Sequence, residues 1–79
     1  MNNSEKLYTS FSSALNIDKS RVSDDLQYQS IKEWDSISHM MLISVIEEDF
    51  GVSLDTDDVI DMSSVRKAKE ILTKHNISF

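Results

Sequence analysis

The chain has 79 residues, 39% of them hydrophobic, a formal net charge of −6 and no cysteine. That length suits one small domain over residues 1–79, whose single core supplies only about 3–5 kcal/mol of net stability. The missing cysteines remove a disulfide framework and a thiolate metal site, and no apolar run approaches the roughly 18–20 residues of a bilayer-spanning helix. The polar start Met1-Asn2-Asn3-Ser4 resembles neither a signal nor a transit peptide, so a cytoplasmic protein with no membrane insertion is expected.

Taken in chain order, Ser4 or Asn3 is expected to cap a first helix ending near Asn16, with Leu7, Phe11, Ala14 and Leu15 recurring at i, i+4, i+7 and i+8. Residues 17–35 read as a long loop. Turn formers Asp18, Ser20, Asp24, Asp25 and Ser30 interrupt isolated apolar residues that are expected to fold back over the helices. Short helical turns are expected at 20–22 and 30–33, with Trp34 sealing the core.

The strongest helical pattern runs from Ser36 to Phe50, free of Gly and Pro, and Gly51 follows as a stop able to adopt the left-handed conformation. At roughly 100° per residue, His39, Leu42, Ile43, Ile46 and Phe50 share one side, while Ile37, Met40, Met41, Ser44, Glu47 and Glu48 fall mostly on the other. The second face is apolar where it starts and acidic where it ends. It predicts a partner surface made of Ile37, Met40, Met41, Glu47 and Glu48.

Beyond Gly51, Val52 and Leu54 are expected to be buried in a short connection. Asp55 or Thr56 is expected to cap a single turn through Ile60, with Val59, Ile60 and Met62 packing inward. Ser63 or Ser64 caps a last helix with the stripe Val65, Ala68, Ile71 and Leu72, leaving Arg66, Lys67 and Lys69 facing water and Lys74 at the favourable end of the dipole. No run alternates at strand length, so the predicted fold class is all-α.

Nine acids and no Lys or Arg lie from Glu33 to Val65. A field of one sign repels nucleic acid and anionic membranes and steers basic partners. The run Asp55-Thr56-Asp57-Asp58 is not a calcium loop, because Ile60 occupies the place of the obligatory Gly and Arg66 that of the bidentate Glu. No metal site is expected. A nucleophilic triad of Ser36, His39 and Asp35 is set aside too: His39 belongs with the core residues, and no Gly-rich oxyanion loop accompanies it.

Asp35-Ser36-Ile37 at the start of a four-turn helix, with Ile46-Glu47-Glu48-Asp49-Phe50-Gly51-Val52 at its end, resembles the acyl carrier and peptidyl carrier protein family over essentially the whole chain. The resemblance implies a small four-helix bundle with a long first loop and a short third helix. It implies that Ser36 receives 4′-phosphopantetheine from coenzyme A, with Asp35 helping a phosphopantetheinyl transferase to recognise the site, a role that can coexist with capping the same helix. A phosphodiester there would lie at the positive end of a helix dipole. The chain would then be a monomeric carrier and not an enzyme. Its arm would hold acyl or aminoacyl groups as thioesters and present them to loading and processing enzymes with basic docking surfaces.

Two departures stand out. Glu33 and Trp34 precede Asp35 where the family often has a Gly two residues before it, and Ser38 and Met41 replace acids common in carriers of fatty acid biosynthesis. Docking is therefore expected to lean on Ile37, Met40 and Met41, as in a specialised biosynthetic pathway. The alternative is a small helical adaptor that binds proteins through the same face without modification.

Overall fold

In the computed structural model, which describes residues 2–79, the chain forms α1 (Asn3–Leu15), α2 (Ser36–Phe50), α3 (Thr56–Asp61) and α4 (Val65–Lys74), with one 3₁₀ turn at Lys19–Arg21. The fold is all-α, a small helical bundle with a long first loop and a short third helix. Among the described residues the extended pairing is limited to an isolated bridge between Gln27 and Ser64.

Local chemistry sets each helix end. Asn2, rather than Asn3 or Ser4, caps α1: its side chain accepts from Glu5 N–H at 2.8 Å, which leaves the two predicted candidates inside the first turn. Asn16 closes α1 in the left-handed conformation at φ 55°, and Gly51 closes α2 at φ 63°. Asp55 caps α3 and Ser64 caps α4. The expected helical turn at 30–33 is instead a tight bend. Gln29 takes a left-handed conformation and donates its N–H to Trp34 O at 3.0 Å, and Trp34 N–H returns to Ile31 O at 3.2 Å.

The core gathers Leu7, Phe11 and Leu15 of α1, Leu42, Ile43 and Ile46 of α2, Met62, and Val65, Ala68, Ile71 and Leu72 of α4 around a fully buried Trp34. Phe11 and Tyr28 meet the indole edge-on at centroid separations of 5.3 and 6.1 Å.

Ile60 does not pack inward; it is 73% exposed. Two steps of a helix rotate a side chain by roughly 200°, so turning Asp58 and Met62 inward points the residue between them out. Lys69 departs from expectation the other way. Its ammonium donates to Tyr8 Oη at 2.8 Å and pairs with Asp24 at 2.9 Å, drawing the side chain against α1 and the loop. Burial opposes that charge, but the bonds to Tyr8 and Asp24 outweigh it and raise the Lys69 pKa.

The long loop is stitched to the α3–α4 corner by backbone bonds: Tyr28 N–H to Ser63 O, Val65 N–H to Leu26 O and Arg66 N–H to Asp24 O, at 2.8–3.1 Å. Ile17 and Val22 fill its underside. At the other end of the bundle Asn3 Nδ2 donates to Ser78 O at 2.9 Å, and Phe79 packs on Phe50 with centroids 6.3 Å apart.

Candidate functional site

The Ser36 end of α2 is built by a reciprocal cap. Asp35, in extended backbone, accepts at Oδ1 from Ile37 N–H at 3.0 Å and Ser38 N–H at 2.9 Å. Ser38 answers by accepting Asp35 N–H at 2.9 Å and donating to Glu33 O at 2.6 Å. Serine thus fills the reciprocal position of a capping box usually held by Glu or Gln. The backbone N–H and hydroxyl of Ser38 hold the Asp35 carboxyl below the ordinary carboxylate range. Asp35 is a cap first.

Ser36 is the first helical residue, exposed, and its hydroxyl takes no part in the cap. The first turn offers an added anion less than the sequence implies. Two of its amides already serve Asp35, and a phosphodiester on Ser36 would sit beside that carboxylate. The residues still fit a covalently attached 4′-phosphopantetheine. The serine is accessible, its hydroxyl is uncommitted, the dipole end is positive, and the adjoining surface is apolar enough to carry an arm.

That surface consists of Ile37, Met40 and Met41, exposed by 80, 59 and 58%. Ile60 of α3 is a further large apolar side chain left exposed. Part of its signal was available: in a six-residue helix only two or three positions can face a core, and here the buried ones are Asp58 and, at the C-cap, Met62.

The two acids assigned to the docking surface separate. Glu48 is exposed, whereas Glu47 turns its carboxylate back to accept Leu54 N–H at 2.8 Å and so holds the connection after Gly51. Glu33 pairs with Arg21 at 3.1 Å, which lowers its pKa. Of the acids from Glu33 to Val65, Asp35, Glu48, Asp49, Asp55, Asp57 and Asp61 are exposed, and Asp49 accepts from Ser10 of α1.

Asp58 is buried and faces α4, with its carboxylate on His75 Nε2 at 3.0 Å and Lys74 Nζ at 3.2 Å. Among the described residues no group of three His, Asp or Glu side chains is placed to hold a metal ion. His39 lies on the inner side of α2, with Trp34 Nε1 donating to its Nδ1 at 3.0 Å and its Nε2 at 2.9 Å from Val59 O.

Comparison with known proteins matches residues 5–72 to the family model described as "Phosphopantetheine attachment site". The chain is similar to an acyl carrier protein of Lactobacillus johnsonii, with 29% identity over 70 residues that cover 89% of this chain and 88% of the relative. It is equally similar to an acyl carrier protein of Guillardia theta, with 29% identity over 70 residues covering 89% and 86% of the two chains. No helix is long and apolar enough to cross a membrane, among the described residues.

Proposed function

The chain belongs to the acyl carrier protein family, whose prosthetic group is covalently attached 4′-phosphopantetheine, and from that premise we propose that Ser36 is the residue that carries it. The observation behind this reading is the division of labour at the start of α2. Asp35 and Ser38 complete the cap, which leaves the hydroxyl between them exposed and free to react. In the attachment that hydroxyl displaces the nucleotide half of coenzyme A, giving up its proton and keeping the phosphate as a phosphodiester. The prosthetic group supplies a terminal thiol on which acyl or aminoacyl groups are held as thioesters.

The chain's own residues then present the arm rather than transform the cargo. Ile37, Met40, Met41 and Ile60 offer adaptable apolar contact, and the surrounding acids favour partners with basic docking surfaces. Asp35 combines its cap with recognition by the transferase. A partner surface led by methionines and not by acids suits a monomeric cytoplasmic carrier of a specialised biosynthetic pathway.

The test is intact mass spectrometry after incubation with coenzyme A, magnesium and a broad-specificity phosphopantetheinyl transferase. Wild type should gain one phosphopantetheine and Ser36→Ala none. An unmodified wild type beside a control carrier that loads would refute the assignment and leave a binding adaptor.

A further inference from the structure

The seam between α2 and α3, one turn below Ser36, is closed by a polar bridge. Trp34 is fully buried and donates Nε1–H to His39 Nδ1 at 3.0 Å. An imidazole nitrogen that accepts has no proton of its own, so in the neutral ring the hydrogen is on Nε2, which donates to Val59 O at 2.9 Å. That carbonyl is one of those left without a helical partner where α3 ends. Ser63 N–H, which would have reached it in a longer helix, donates to Asp61 O at 2.7 Å instead. His39 therefore satisfies α3's open end and the buried indole together. Tyr28 flanks it, with its ring centroid 5.2 Å from the imidazole.

Resting on the reading that Ser36 carries the arm, we propose that His39 is a latch that keeps the cargo outside the bundle, so that this carrier suits short, polar or aminoacyl groups rather than long alkyl chains. An alkyl chain passing between α2 and α3 beside Ser36 would part His39 from Val59 or from Trp34. Parting it from Trp34 leaves a fully buried indole N–H unpaired, parting it from Val59 opens a part-buried bond, and a hydrocarbon replaces neither. Short and polar cargo gains nothing from an apolar interior and stays on the exterior face of Ile37, Met40 and Met41. The open depression of about 510 Å³ lined by Thr73, Asn76, Ile77, Ser78 and Phe79 offers no substitute, because it lies at the Phe50 end of α2.

The experiment loads wild type and His39→Leu with acetyl, octanoyl and palmitoyl phosphopantetheine from the corresponding coenzyme A thioesters, and verifies loading by intact mass. Urea midpoints are then read alongside the Trp34 indole N–H resonance and the methyl shifts of Leu42 and Ile46. The proposal expects a wild-type midpoint independent of chain length and an unmoved indole resonance, with His39→Leu rising from acetyl to palmitoyl. A wild-type midpoint that climbs with chain length while the indole and methyl signals shift overturns the latch and leaves the attachment site standing. A folded His39→Leu with no length dependence removes His39 from the role. If that variant does not fold, the wild-type series decides alone. A wild type that takes up no group while a control carrier loads refutes the Ser36 assignment and this proposal with it.

Discussion

Asp58 holds the shortest helix in place, and replacing it with Ala measures how much. Its carboxylate is 6% exposed and accepts from His75, 30% exposed, and from Lys74, 63% exposed. The His75 bond is worth about 1.5–2 kcal/mol, the lower part of the range for hydrogen bonds to charged groups, and the more exposed Lys74 adds little to it. Neither donor is trapped by the substitution, because both reach water. Asp58→Ala should therefore cost about 1.5–2.5 kcal/mol, which in a domain this size lowers Tm by roughly 10 °C. Urea denaturation followed by circular dichroism gives the free energy, and amide exchange at Val59 and Met62 locates the loss in α3.

The pH dependence has a fixed sign. Hydrogen bonding to His75, then to Lys74, lowers the Asp58 pKa below the ordinary carboxylate value, against the opposing effect of burial. The unfolded chain thus takes up this proton first. The stabilisation is complete above the unfolded value of about 3.9 and is lost as pH falls through the lowered folded value. The gap between wild type and Asp58→Asn should persist down to about pH 5, shrink below 4 and vanish in stronger acid. A gap under about 0.5 kcal/mol at neutral pH, or one unchanged down to pH 2.5, would refute the reasoning, since ordinary surface substitutions stay within that range.

Phe11→Ala removes a fully buried ring packed on Trp34, and the expected loss of about 3–5 kcal/mol matches the whole stability of so small a domain. Near-ultraviolet dichroism should collapse, and a well-resolved native spectrum would contradict that. Gly51→Ala meets nothing within 4 Å of the new Cβ, so only the strain of φ 63° remains, about 1 kcal/mol by urea titration. Met40→Gln and Met41→Gln should leave the urea midpoint within about 0.5 kcal/mol of wild type while slowing partner-catalysed loading several-fold, as followed by mass. Glu48→Lys should slow the same reaction at low salt, and the difference should shrink as the Debye length falls to about 3 Å at 1 M.

Where the sequence spoke clearly, it spoke through period and punctuation. The span Ser36–Phe50 and its Gly51 stop follow from an uninterrupted helical pattern and one residue able to turn left-handed. The inward side of His39 follows from its angle to Leu42, Ile43 and Ile46. Cap identity was less legible. Asn2, Asn3 and Ser4 are all competent, and only the entry angle of the chain chooses among them. Ile60 misled because three apolar residues in one short turn cannot all face inward, and the winner is settled by the Asp58 pairing across to α4. Lys69 misled because its draw inward depends on Tyr8 and Asp24, 61 and 45 positions earlier in the chain. At the site, a helix beginning at Ser36 was readable from local pattern. Asp35 as the cap of that helix was readable too, from residue type and place, whereas the return bond from Ser38 that completes the box depends on torsions that no pattern states.

The contact between Asn3 and Ser78 brings the two ends of the chain to the pole opposite Ser36, which lies about 21 Å away along α2. A tether attached near Asn3 or Ser78, whether a bead, a dye or a fused partner, pulls from behind Ser36. Swivelling about such an attachment makes the Ser36 pole the fastest-moving part of α2, and any group joined there sweeps a wider arc than one joined near Phe50.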